Sequence, residues 1–471
     1  MLQDADALPQ LIGEYKPLDH WQTHLNQLFY GLRGDKLRSY YQTFASADFR
    51  LAHALAADYY ERVVQRDKTG RMTKDAPRLT IVELGPGNGN LAACFLGCLK
   101  ALDVQGTIYP RIRYIMADWE ESMLSGAQAH PGLEAHRSRV EMYRGSVEHL
   151  EGIADASVDR IFCNELWNDL PTKLLAKHGG EVEEEYLRPN LSESLHAKIQ
   201  EWSGFVLAFQ EKNLAALKTF PPFLDELVWE KEYRKVEWKS VPYRKLIVEF
   251  LQSIDQEVLV PINLGAFATL KEAKRILAPD AIGFSAFDAG TRDMNVLNDP
   301  EKPCYGQFGG QYNFMVNFAL VEAVAKHVGM AHTTFESQRE FVGRSLNTNA
   351  ITLMDLLATH PSAGPTLRAW EQDRLVLKTI RALNETFESP YRRRLEFPLG
   401  THIPPEERET LGAILRSLKD NGIPDTVAYL TEEELMRAQK DLEDIGYEGT
   451  TIRIALSAPP SPIEYCHFAC R

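Results

Sequence analysis

The sequence predicts an α/β fold: a parallel sheet with helices before it, a large insertion within it and a helical extension after it. Three observations predict it. Strand-like and helix-like segments alternate from about residue 79, the order that βαβ units and a parallel sheet require. A glycine-rich turn, Gly85-Pro86-Gly87-Asn88-Gly89, ends the first of those strands and leads into a helix. Polar residues, Asp118 and then Asn164-Glu165, directly follow apolar runs. They therefore fall at the carboxyl edge of the sheet, where open α/β sheets bind ligands.

Residues 1–75 read as helical, because LAHALAADYYERVVQ places apolar residues three and four apart. The polar, basic connector RDKTGRMTKDAPR leads to RLTIVELG, an apolar and β-branched run closed by glycine that reads as a buried strand. RIRYIMAD is a second strand, EESMLSGAQAH a helix, SRVEMYRG a third strand and SVDRIFCNE a fourth. LPTKLLAKH reads as the start of a helix, and AIGFSAFDAG as a further buried strand. Between them, about 179–280, mixed charge and scattered tryptophans (Trp202, Trp229, Trp238) mark an insertion over the sheet, either a binding element or a structural cap. The divisions are thus 1–75, 76–345 and 346–471. In the last, TEEELMRAQKDLEDIG sets Thr431 and Glu434 at capping-box spacing, with Gly446 where a helix would end. The chain closes on SAPPSP and CHFACR, and it carries no internal repeat.

At 471 residues, with 44% apolar and 25% charged residues, the chain is long enough for one large domain with insertions or for two. A net charge of −14 argues against a protein that coats nucleic acid, which needs clustered Lys and Arg. The first ten residues, MLQDADALPQ, lack the basic and apolar regions of a signal peptide. No stretch approaches the length of apolar chain that spans a bilayer. Six scattered cysteines suit reduced thiols better than a disulfide framework. The expectation is a soluble, cytoplasmic protein.

Glycines at 85, 87 and 89 let the backbone turn sharply and approach a ligand, while the N–H groups of the next helix face the same crevice. A dinucleotide fingerprint would place its last small residue at position 90, where Asn90 stands. The observed G-x-G-x-G, with Glu83 two residues ahead, resembles motif I of class I S-adenosylmethionine (SAM) methyltransferases. A tight turn without a ligand is the plainer alternative. Asp118 then stands where a carboxylate would accept both ribose hydroxyls of the cofactor; it could equally cap the next helix. Gly145, Ser146 and Val147 fall where the adenine would lie.

IFCNELWNDLPTKLL carries the chemistry. Its Asn164-Glu165 and Leu170-Pro171, with the Gly85–Gly89 loop, Phe287-Asp288-Ala289-Gly290, Val316-Asn317-Phe318 and Ala47-Asp48-Phe49, resemble the MidA-type methyltransferases over about residues 40–345. These are relatives of the mitochondrial complex I assembly-factor arginine methyltransferase. Three positions depart from the family pattern: Asn168 for Asp, Met315 for His and Ala289 for Tyr. The resemblance implies a class I Rossmann-like sheet, SAM as cofactor, binding by Glu83, Gly85, Gly87, Gly89, Asp118, Gly145, Ser146, Val147 and Asn164, and a protein substrate. Glu165, assisted by Asn164 and Asp169, would then grip a guanidinium. Both acids could instead be helix N-terminal charges stabilised by the dipole. A non-catalytic assembly protein and a small-molecule methyltransferase are the competing functions.

Other signals point away from function. Cys94 and Cys98 read as small buried hydrophobes, and Cys466-His467 with Cys470 is too few ligands for zinc; no metal is expected. EVEEEY and EKEYRKVEWKSVPYRK read as solvated faces. Tyr391-Arg392-Arg393-Arg394 is too short a basic run to define a partner.

Overall fold

The computed structural model describes residues 10–33, 48–68, 78–299, 304–308, 310–364, 367–386, 403–417, 429–459 and 464–471. Two helices come first, α1 (Leu18–Arg33) and α2 (Arg50–Lys68). Four strands with two α-helices among them follow: β1 (Leu79–Leu84), α3 (Asn90–Leu102), β2 (Ile112–Asp118), α4 (Glu121–Gln128), β3 (Val140–Arg144) and β4 (Arg160–Asn164). An inserted unit then contributes β5 (Lys173–His178), β6 (Glu181–Leu191), β7 (Leu227–Lys235) and β8 (Val258–Ile262). The main sheet resumes through α5 (Leu264–Ile276) into β9 (Gly283–Thr291). A hairpin of β10 (Tyr305–Phe308) and β11 (Gln311–Phe314) precedes α6 (Phe318–His327), β12 (Thr333–Ser337) and α7 (Gln338–Leu346). In the extension, α8 (Glu432–Arg437) and a last strand, β13 (Glu464–Cys470), concern the argument most.

The main sheet runs β12-β13-β9-β4-β1-β2-β3. Strands β9, β4, β1, β2 and β3 are parallel, and β13 is antiparallel to both its neighbours. Strand order reverses at β1, so the crevice between the carboxyl ends of β1 and β4 is the topological switch point. Every residue of β1 is buried, as its unbroken apolar run requires of a strand covered on both faces. On one face Ile81, Tyr114 and Phe162 pack with Tyr59 of α2, Phe95 of α3 and Leu435 and Leu442 of the extension. On the other, Val82, Ile161 and Phe284 pack with Trp167, Phe267 of α5 and Val321 of α6.

The inserted unit, with the strands that pair onto it, corrects four expectations. LPTKLLAKH is no helix: Lys173–His178 is a strand, paired to β6 through Gly179 and Gly180, both left-handed. A Gly-Gly pair between two runs is a hairpin signal that outweighs the helix propensity of Leu, Ala and Lys. The insertion therefore spans 173–262, not 179–280. EVEEEY is not a solvated face, since Glu184 and Glu185 are buried. Glu184 pairs with Lys173, and Glu185 accepts the hydroxyls of Tyr233 (2.8 Å) and Tyr305 (3.1 Å). Nor is the first region wholly helical: Gln10–Leu11 and Lys16–Pro17 are short strands on β6. Helix α1 packs with the insertion, with Leu25 and Phe29 against Leu187, Leu191 and Phe209.

Residues 346–471 do not stand apart from the catalytic sheet. Strand β13 lies between β9 and β12, aligning Phe468 with Ala286 and Phe335, so CHFACR is core strand. The capping box at Thr431 is present. Gly446, at φ +106°, ends the following helix, with Tyr447 N–H donating to the Leu442 carbonyl (3.0 Å), the bond of a Schellman motif. The Tyr391-Arg392-Arg393-Arg394 run lies outside the described residues. No helix among the described residues is long and apolar enough to cross a membrane.

Phe468 is fully buried. Phe468→Ala should lower unfolding free energy by about 3–5 kcal/mol, read as a shift in urea midpoint at constant slope.

Candidate cofactor and active site

The glycine turn sits at the switch point. Gly85 donates its N–H to the Ala117 carbonyl of β2 (2.9 Å), fixing the turn to the neighbouring strand. Gly89 adopts φ +79°, and a Cβ there would stand 2.6 Å from the Ala127 carbonyl oxygen of α4, so only glycine fits. Gly87, at φ +54°, has no atom within 4 Å of the place a Cβ would take. Its open side makes room for a ligand. Helix α3 starts from Gly89 with no side-chain cap. Glu83, two residues before the turn in β1, is buried, and its carboxylate accepts the Tyr114 hydroxyl (2.8 Å). Burial pushes this carboxyl up to about 7.

Asp118 ends β2 half-buried. Its Oδ1 accepts the Glu120 N–H (2.9 Å), but Glu120, not Asp118, caps α4, so the capping alternative for Asp118 falls. Burial raises the Asp118 carboxyl to about 6, against the pull of that backbone bond. Gly145 N–H donates to the Asp118 carbonyl (2.9 Å), holding the loop after β3 beside it. The Ser146 hydroxyl accepts the Glu148 N–H (3.2 Å). Val147 points its side chain into the core with Leu150 and Ile153, leaving its backbone as the part available to a ligand.

Beyond β4 no helix follows. The chain makes a turn over 166–169, closed by Asp169 N–H on the Leu166 carbonyl (3.1 Å). The dipole alternative for Glu165 and Asp169 therefore has no helix to act from. Glu165 is a non-glycine residue at φ +49°, a conformation that concentrates at functional sites because it costs free energy. Its N–H donates to the Phe287 carbonyl (2.7 Å), and its carboxylate accepts Tyr465 Oη (3.3 Å) and Asn164 Nδ2 (3.3 Å). Asn164 Oδ1 and Asn168 Oδ1 are buried acceptors with no hydrogen-bond donor among the described residues.

Asp169 is held from outside the sheet. Tyr30 of α1 donates its hydroxyl to Oδ2, and Gln311 of β11 donates Nε2 to Oδ1 (2.6 Å). Burial raises its carboxyl to about 7. Asp288, fully buried at the end of β9, accepts the N–H groups of Trp167 (2.8 Å) and Asn168 (3.2 Å) on Oδ2 and of Ala289 (2.9 Å) on Oδ1. Burial, and then the charge of Glu165, hold its carboxyl well above the ordinary range. The charges of Glu165 and Asp169 add to the rise at Asp288, and that of Asp118 to the rise at Tyr30, so the four carboxyls lie near one another at this edge of the sheet.

The structure thus gathers the loop glycines, Asp118, Gly145, Asn164, Glu165 and Asp169 at one sheet edge. Asp288, Tyr30, Gln311 and Tyr465 belong there too. Asp288 had a sequence signal, an Asp-x-Gly ending a buried strand; the other three had none. At the departures from the family pattern, Met315 donates its N–H to Cys304 (2.7 Å), while Ala289 is half-buried at the edge itself.

A family model described as "Putative S-adenosyl-L-methionine-dependent methyltransferase" matches residues 57–269, which take in the glycine turn, Asp118, Asn164 and Glu165. The match takes in just under half of the chain. This chain is a SAM-dependent methyltransferase with SAM as its cofactor, and its sheet is the class I Rossmann-like one. The chain is also similar to a Burkholderia thailandensis protein crystallised with S-adenosyl-homocysteine (SAH), at 15% identity and TM-score 0.47, over 78% of this chain and 84% of that one. A second, uncharacterized protein of that superfamily and organism gives 15% identity and TM-score 0.44, over 78% and 83%. Among curated proteins none matches. The methyltransferase's residues fit SAM on their own geometry: a turn open above Gly87, a half-buried carboxylate at the end of β2 and the unsatisfied Asn164 Oδ1.

Two outcomes are expected. Gly87→Arg should abolish SAH binding by titration calorimetry at a backbone cost of about 1–2 kcal/mol, because the side chain enters open space rather than core. In the free enzyme the raised Asp118 carboxyl stabilises the fold at acid pH, an advantage lost as pH rises through about 6. Ribose hydroxyls favour its ionised form, so SAH affinity should be full above that pH and fall by about tenfold per unit below it. Asp118→Asn should remove this component of the pH profile.

Proposed function

We propose that this methyltransferase acts on a side-chain nitrogen of a protein, with arginine as the acceptor. The observation that carries the reading is Glu165: a carboxylate at the carboxyl edge of β4, on strained backbone, aimed by Tyr465 and Asn164 beside the cofactor turn. Among the described residues Asp118, Asp169 and Asp288 take part in no ion pair; their partners are hydroxyl, amide and backbone groups. A cation entering beside such carboxyls favours their ionised form, and a guanidinium is a planar cation that a carboxylate grips through two parallel N–H bonds.

When bound, SAM supplies a methyl group on a sulfonium, so transfer forms an N–C bond, breaks an S–C bond and releases a proton from nitrogen. Glu165 would hold the guanidinium so that one nitrogen faces the methyl, and would receive that proton. Asn164 would orient the carboxylate through Nδ2 and offer Oδ1 to a donor on either ligand. Asp288 positions the turn that carries Trp167 and Asn168. Positioning and exclusion of water supply most of what such a displacement needs.

The losses at Asn168, Met315 and Ala289 favour a second reading, a fold-retaining assembly protein that binds SAM without turnover. Radiolabelled SAM incubated with the enzyme and arginine-bearing protein extracts separates the two. Label on arginine after hydrolysis is expected, and Glu165→Gln should lower kcat by about 10²–10³-fold with SAH affinity retained. Tight SAH binding without transfer to any protein would move the assignment to the assembly reading.

A further inference from the structure

Arg50, the first residue of α2, is almost fully buried between two carboxylates. Its Nε and Nη2 meet Glu434 Oε2 (3.1 Å) and Oε1 (2.5 Å), a two-pronged pairing across 384 residues of sequence. Its Nη1 donates to Asp48 Oδ2, and its backbone N–H to Asp48 Oδ1 (2.7 Å). Glu434 is also the acid of the α8 capping box, where Oε2 accepts the N–H and hydroxyl of Thr431, both at 2.9 Å.

The chain of bonds continues towards the cofactor turn. The Asp48 carbonyl accepts Asn90 Nδ2 (2.7 Å). Asn90 is buried, begins α3, and donates its own N–H to Asn88 Oδ1 (3.0 Å). The extension is thereby joined to the glycine turn through Glu434, Arg50, Asp48, Asn90 and Asn88. Neutralising one charged partner of a buried guanidinium is costly, because the N–H groups it held lose their ionised acceptor in a place that water does not reach. Neutralising Glu434 therefore displaces Arg50 and Asp48, and with them the carbonyl that anchors Asn90.

We propose that Glu434 is a positioning residue for the cofactor turn, acting through Arg50, Asp48 and Asn90 so that the C-terminal extension controls SAM affinity. The proposal rests on the assignment of the 85–89 turn as the cofactor site. It gives residues 346–471 a role in cofactor binding beyond completing the sheet.

The test is SAH titration of the full chain carrying Glu434→Gln, Asn90→Ala, both together, Leu442→Ala or Gly87→Arg. Glu434→Gln and Asn90→Ala should each raise Kd by roughly tenfold. The double variant should be no weaker than the weaker single, because both changes cut one path. Leu442→Ala opens a cavity in the extension outside this chain of bonds; it should lower the melting temperature and leave Kd within about twofold. A wild-type Kd in Glu434→Gln or Asn90→Ala overturns the proposal, as does additivity in the double variant or an equal loss in Leu442→Ala. Asn90→Ala alone decides the matter if Glu434→Gln fails to fold. If Gly87→Arg binds SAH normally, the site assignment itself is wrong and the proposal falls with it. If Gly87→Arg loses binding while Glu434→Gln retains it, only the proposal fails.

Discussion

Asp288 joins the two sides of the catalytic edge, and the arrangement of the crevice depends on that bond. Where β4 ends, the chain turns sharply instead of entering a helix, leaving the N–H groups of Trp167 and Asn168 in a dry place. The Asp288 carboxylate accepts both. Without it each would be a buried donor with no partner, a cost of about 1–3 kcal/mol apiece. The turn in turn holds Glu165 in its left-handed conformation, with its N–H on the Phe287 carbonyl next to Asp288. Trp167 locks the far side, stacking on Phe284 at 5.5 Å and donating its indole N–H to Thr269 (2.8 Å). Strain at Glu165 is therefore balanced by contacts from two neighbouring strands and one crossover helix.

The insertion and the N-terminal helix form a second body of structure around their own core, and it reaches the crevice through a few polar contacts. Tyr30 and Gln311 meet on Asp169, while Asn26 of α1 donates to the carbonyls of Asp169 (3.0 Å) and Tyr312 (3.1 Å). Two segments far apart in sequence, α1 and β11, thus converge on one carboxylate. Four carboxyls share the edge, and among the described residues Asp118, Asp169 and Asp288 are kept in place by hydroxyl, amide or backbone donors.

Much of this was legible beforehand, and the failures have physical causes. Strands β1, β2, β4 and β9 were readable because parallel strands covered on both faces leave short apolar runs. The capping box at Thr431 was readable because caps are local. By contrast, Lys173–His178 carries helix-forming residues, and its conformation is imposed by pairing with β6 on one side and β8 on the other. The acidic run at 181–186 looked solvated because Lys173, Tyr233 and Tyr305, which neutralise or bond it, lie elsewhere in the chain. Asp118 offered both a cap and a cofactor ligand on sequence grounds, and only the position of Glu120 removed the first.

By itself the sequence determined the local chemistry: a left-handed glycine turn after a buried strand, carboxylates at strand ends and an asparagine where a dinucleotide fold would want a small residue. These follow from backbone sterics and from a period of two or of 3.6 residues, and they leave marks within a few positions. Only the tertiary structure decided that β13 enters the middle of the sheet, that Tyr465 reaches Glu165 across 300 residues and that Glu434 clamps Arg50. Contacts at such separation are set by which surfaces bury one another, and that outcome leaves no pattern in neighbouring residues.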